Sequence, residues 1–269
     1  YSSGKALTVW KYTAAGILDG TFGINGIASG DAIPPVGFSL GSGRGMVAAP
    51  NGDFFAVAEL EGATQAGIRL CKFGSHGQPL AFLFTQTACV DQVFPGSSTS
   101  SAGHAAHSIA LAPSGHIWIM GRNGDLVRFL PTGQIDPTFP GGRFFLPNLV
   151  QQQAQVYGLA IDQDGNAFVA GQAVQEQDIV GYTAKVTIGP NGPQLHPGYG
   201  NGGVRLIGCG DVPATLVCAF ANVAARANDV IFYGVGFYQS GNGIAHHAVL
   251  AQVDRSSGAV PNPLLVMPA

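Results

Sequence analysis

One phrase recurs five times along the 269 residues. A short strand ends in a basic or polar residue and an apolar one, a Gly turn follows, and then come an acidic or polar residue and an aromatic-glycine pair. The clearest copies are residues 7–23 (LTVWKYTAAGILDGTFG) and 126–139 (LVRFLPTGQIDPTF); looser ones begin near Ile68, Ala184 and Val249. The turn glycines Gly16, Gly77, Gly133, Gly192 and Gly258 lie 61, 56, 59 and 66 residues apart. A period of that size belongs to stacked or radially repeated units and excludes a single irregular domain.

A second phrase lies between these copies. Residues 46–58, 108–120 and 158–170 each read as an apolar run, a turn and another apolar run, and a worn copy spans 223–234. The turns are Pro-Asn-Gly, Pro-Ser-Gly and Gln-Asp-Gly, whose glycine supplies the positive φ that a tight hairpin requires. Each copy is therefore predicted to be a β-hairpin. Joined to the first phrase it makes a four-stranded unit, with strands a to d in the third repeat at 156–161, 167–171, 182–188 and 203–207. Four-stranded sheets repeated about an axis protect most of their edges. The expected fold is all-β, a β-propeller of about five four-stranded blades with an irregular seam, with residues 1–269 as a single propeller domain.

The seam is irregular because four a–b hairpins accompany five c-type strands. The strand near 26–29 is expected to complete the last blade and seal the ring, leaving about five blades or four and a fraction. Residues 6–12 then need a partner, and an unpaired edge there invites pairing with a second copy of the chain, so a homo-oligomer through the N-terminal strand is an expectation.

Composition narrows the partners. With 40 Gly and 17 Pro but ordinary apolar content, the chain is turn-rich without being disordered. Only 10% of residues are charged and the net charge is −3, which offers no basic face to nucleic acid or anionic lipid. No apolar run is long enough to span a membrane as a helix, so no membrane insertion is expected. Tyr1-Ser-Ser-Gly carries no charged and then apolar leader, which predicts that any export signal has been removed or never existed.

Four cysteines, Cys71, Cys89, Cys209 and Cys218, lack the spacing of a zinc or redox site. Local pairing of Cys71 with Cys89 and Cys209 with Cys218 is expected, and with it a secreted, extracellular or periplasmic location.

The phrase at residues 15–26 (AGILDGTFGING) resembles the delta-60 repeat, a bacterial β-propeller-like repeat usually seen in exported proteins and typically reading Gly, two residues, Asp, two residues, Phe-Gly. Residues 135–139 match it with Pro140 where Gly is expected, and 198–203 match it without the Asp. The copies near Ile68 and Val249 depart further, at 80–84 and at a proline-rich tail, which leaves the outer strands of those two blades open. The resemblance implies export and a propeller, and carries no general activity.

In a propeller, ligands gather where the loops from d to a and from b to c meet. The predicted binding rim is therefore Arg44, His104, His107, Tyr157, Asp178 and Asn222, with Glu59, Glu61, Arg122, Asn123, Gln155 and Glu176 nearby. His104 and His107 carry imidazoles suited to base catalysis but have no assigned carboxylate. Residues 162–166 (DQDGN) imitate a calcium loop, yet position twelve would be Ala173, so they are read as a hairpin turn. Trp10 and Trp118 are read as core residues. The expected function is a non-catalytic binding or assembly module at the cell surface or in extracellular structures, with an unidentified ligand or protein partner and no cofactor or metal. A hydrolase or lyase with a His-based rim site is the alternative.

Overall fold

The computed structural model describes residues 6–30, 33–63, 65–94, 106–121, 124–147, 154–176, 178–208, 216–240, 243–260 and 265–268. Within the strands, side chains at 216–217, 235–247 and 265–268 are outside that description. Among the described residues the only helix is a single 3-10 turn, and the rest of the regular structure is antiparallel sheet.

β1 (Thr8–Trp10) and β2 (Ile27–Ser29) form a two-stranded sheet, and the first complete blade follows as β3 (Phe38–Ala48), β4 (Phe54–Gly62), β5 (Ala66–Phe73) and β6 (Cys89–Phe94). The second comprises β7 (Ala106–Leu111), β8 (Ile117–Gly121), β9 (Asp125–Phe129) and β10 (Phe144–Phe145). In the third, β11 (Gln155–Ile161) and β12 (Ala167–Gln175) lead to β13 (Asp178–Gly189), whose outer edge is shared by β14 (Gly192–Leu195) and β15 (Val204–Ile207). The fourth is β16 (Leu216–Ala225), β17 (Asp229–Ser240), β18 (Gly243–Asp254) and β19 (Leu265–Pro268). Each sheet is the up-and-down meander of a propeller blade. The fold is the all-β, blade-built one that the repeat predicts, with four full blades and a fraction.

One seam expectation is corrected. β2 does not complete the last blade, because it pairs with β1, and β19 forms the outer edge of β18. The blades whose outer strands the sequence left open both have one, in β6 and β19.

The chain divides into two compact units, residues 1–111, 115–122 and 128–136 in one and 112–114, 123–127 and 137–269 in the other. The first unit is built on a core that joins Leu7, Phe22 and Ala28 to Leu40, Phe54, Ala56, Phe73 and the Cys71 and Cys89 sulfurs. Cys71 and Cys89 face each other across β5 and β6 and are disulfide-bonded. Gly30 lies so close to them that a β-carbon there would stand 2.8 and 2.9 Å from the two sulfurs. In the second unit Phe168, Ala170, Tyr199 and Ile207 pack on Phe220, Phe232, Val249, Ala251 and Val253, so one blade covers the next.

The recurrent phrase owes its composition to two contacts. The first is internal: the basic residue that ends strand c pairs with the Asp eight positions on, Lys11 with Asp19 at 3.1 Å and Arg128 with Asp136 at 2.7 Å. Hydrogen bonds from Thr21, with Lys11 beside it, hold Asp19 below the usual carboxylate range. The second contact joins successive repeats. The N–H of Gly23 donates to His76 O at 2.7 Å and that of Gly200 to Ser257 O at 2.8 Å, each acceptor lying just before the next turn glycine. A side chain on that next glycine would meet the preceding aromatic ring: Phe22 at 3.0 Å from Gly77 and Tyr199 at 3.2 Å from Gly258. Both glycines also hold positive φ, 81° and 70°.

Candidate functional site

The inner strand of every blade is interrupted by a bulge at the same place. Register shifts leave an extra residue there on each, Arg44 on β3, His107 on β7, Tyr157 on β11 and Ala221 on β16, and β3 has a second irregularity between Leu40 and Gly43. Arg44, His107 and Tyr157 each stand eight residues before a hairpin glycine, Gly52, Gly115 and Gly165. A bulge kinks the strand and re-aims the side chain it carries. Three of the predicted rim residues thus occupy one repeated position, and the fourth occupant is Ala221 rather than its neighbour Asn222. Glycine opposite the bulge makes room for it, since β-carbons on Gly171 and Gly234 would fall 2.9 and 2.7 Å from the Cα atoms of Val156 and Phe220. That glycine, six residues past Gly165 in the third repeat, is the sequence signal that marks the position.

The bulged side chains are individually engaged. Arg44 donates to Glu59 Oε2 at 3.1 Å, and Glu59 is buried while Arg44 is exposed. The Tyr157 hydroxyl donates to Gln155 Oε1 at 2.6 Å. His107 is half-buried on β7. Asn222 Oδ1 accepts from the N–H of Val223 at 2.9 Å, and Asp178 is exposed where β12 turns into β13. His104, Arg122, Asn123 and Cys209 lie outside the described residues, while Cys218 is oxidised. Among the described residues no three His, Cys, Asp or Glu side chains group as a metal site.

The turn at 162–166 is the predicted hairpin. Asp162 Oδ1 accepts from the N–H groups of Asp164 and Asn166, both at 2.9 Å, so its carboxylate closes the turn on itself. Arg255 reaches Asp162 at 3.5 Å and Asp164 at 3.1 Å. Lys185 donates to Arg255 O at 3.0 Å, and burial lowers its pKa.

A different kind of surface lies at β1. The N–H of Lys11 donates to Gly26 O and Leu7 O accepts from Gly30 N, so alternation along an antiparallel strand turns the backbone groups of Thr8, Trp10 and Tyr12 to the opposite edge. Among the described residues no strand pairs with that edge. In the four complete blades the strand equivalent to β1 is flanked there by the second strand of the a–b hairpin. Side chains tell the same story. Counting from Lys11, Lys72, Arg128, Lys185 and Gln252, Trp10 and Tyr12 occupy the positions of Cys71 and Phe73, Val127 and Phe129, Ala184 and Val186, and Ala251 and Val253. None of those eight is more than 1% exposed, whereas Trp10 is 52% and Tyr12 61% exposed. Trp10 is thus not the core residue the sequence suggests, because among the described residues no strand covers it as its equivalents are covered; Trp118 is fully buried. Beside the open edge runs a groove of 590 Å³ lined by Ala6, Leu7 and β1, by Leu40 and Gly43–Met46 of β3, and by Ala56–Ala58 of β4. Met46, Ile17 and Ile24 add exposed apolar surface in the same unit.

No family model matches the chain, and no curated protein matches it. Solved structures similar to it include the β-propeller domain of Nup133 from Vanderwaltozyma polyspora, 9% identical over 100% of this chain and 76% of that one, with a TM-score of 0.47. An exo-1,5-alpha-L-arabinanase from a bovine ruminal metagenomic library is 12% identical over 90% and 86%, with a TM-score of 0.41. Polysaccharide lyase Uly1 is 14% identical over 92% and 51%, also at 0.41. All three scores are below 0.5, and no activity or residue role is carried across from these proteins.

Proposed function

We propose that the chain is an exported, non-catalytic binding or assembly module that takes an extended polypeptide partner along the open edge of β1. The unpaired edge carries this reading. Strand addition supplies main-chain hydrogen bonds at the edge and pockets for alternate side chains, and β1 offers the first through Thr8, Trp10 and Tyr12 and the second through its groove. Apolar surface at Trp10, Tyr12 and Met46 adds the hydrophobic part of such a contact. The Cys71–Cys89 disulfide and the oxidised Cys218 support an oxidising compartment, as does the resemblance of residues 15–26 to the exported delta-60 repeat.

Selection from a displayed library of random peptides tests the reading. The expected result is enrichment of extended apolar sequences whose binding is lost in Thr8→Pro, a change that removes an outward N–H and leaves the bonds to β2. Failure to enrich, or enrichment indifferent to Thr8→Pro, contradicts it.

A further inference from the structure

Three separate features of the first repeat are incomplete, and each is completed by the same object elsewhere in the chain. Among the described residues the edge of β1 lacks the hairpin strand that flanks β5, β13 and β18. Trp10 and Tyr12 are bare, whereas in the fourth blade their equivalents Ala251 and Val253 share a core with Tyr199 and Ile207 of the repeat before. The turn at Gly16 is bare as well. A β-carbon there would meet nothing within 4 Å, although Gly77 and Gly258 lie against the preceding repeat's Phe22 and Tyr199.

In chain order the missing pieces are an aromatic-glycine turn for Gly16, an outer strand to face Trp10 and Tyr12, and an a–b hairpin for the edge of β1. That is the order in which one repeat passes into the next, as at 199–240. We propose that the open side of β1 is an acceptor for a further repeat of this same kind, one that lies outside these 269 residues. Among the described residues a second copy has no free a–b hairpin or aromatic-glycine turn to offer, since all four hairpins are paired within their own blades and Phe22-Gly23 and Tyr199-Gly200 are docked on the next turn. This names the partner for the edge-binding reading above and rests on it.

The test uses a fluorescent synthetic peptide covering residues 134–176, which holds the Phe139 ring of its turn without a glycine N–H, one outer strand, one a–b hairpin and no cysteine. Titrated with the intact protein, it is expected to bind saturably, with at least about tenfold weaker binding to Thr8→Pro, roughly the loss of one or two main-chain hydrogen bonds. Trp10→Lys, on the face and not the edge, is expected to weaken binding likewise and serves if Thr8→Pro misfolds by circular dichroism. No binding, or equal binding by the wild type and both variants, overturns the proposal. So does a wild-type dimer in sedimentation that Thr8→Pro makes monomeric, which gives the edge to a second copy. If random peptides bind the edge and the 134–176 peptide does not, the repeat proposal falls while the edge-binding reading stands.

Discussion

Gly77 and Gly16 have nearly the same backbone, φ 81° and 75°, and opposite surroundings. Alanine costs both about 1 kcal/mol for the left-handed conformation, but at Gly77 it also crowds the Phe22 ring and the Gly23 amide. Gly77→Ala should therefore destabilise by about 1 kcal/mol or more beyond Gly16→Ala in urea unfolding; equal losses would mean that the aromatic-glycine contact does not couple the repeats. The turn glycines were legible from their spacing, because conformation and period both show in the sequence. Their second duty, as a seat for the previous repeat's aromatic ring, was not, since it depends on what lies about sixty residues away. Histidine titration gives a second check. Burial lowers the pKa of His116, with Arg128 reinforcing and Asp136 opposing the shift, and burial with Lys185 nearby lowers that of His196. A histidine held neutral in the fold binds fewer protons than in the unfolded chain, so stability is full above 6.5 and falls as pH drops below it. His116→Gln with His196→Gln should flatten that acid limb; an unchanged slope would remove both as its cause.

At the scale of strands, β1 makes a sharp contrast available. Val9→Pro should break pairing with β2, because odd positions face it, while Thr8→Pro should leave the melting temperature nearly unchanged; the reverse order would show that the edge has been assigned to the wrong side. The cross-strand Cys71–Cys89 bond closes 18 residues, and replacing both cysteines by serine should cost about 3 kcal/mol in chemical unfolding. Strands were readable wherever a hairpin turn announced itself. In the third blade strand d was expected at 203–207 and strand β15 covers Val204–Ile207. Bulges were not readable in the same way, because a bulge is a mismatch between two strands and each strand alone looks regular. Only the glycines opposite them, Gly171 and Gly234, leave a trace. The sequence places Arg44, His107 and Tyr157 by loop address, and the structure gives them a shared register position instead.

For the whole molecule, the repeat explains why the seam was the hardest part to read. Inside the array every residue has a counterpart one period away, so Phe73 is buried for the same reason as Phe129. At Tyr12 the period predicts a buried side chain, and nothing in the local pattern shows that no described strand covers it. Trp10 departs from its period for the same reason. Binding at β1 requires its outer edge to be open, and amide hydrogen exchange at single-residue resolution tests this most directly. In the isolated protein Thr8, Trp10 and Tyr12 should exchange at nearly unprotected rates while Lys11 and Gly30, bonded to Gly26 O and Leu7 O, remain protected. Protection of Thr8 and Trp10 as strong as that of Lys11 would show the edge already filled, and would contradict the account.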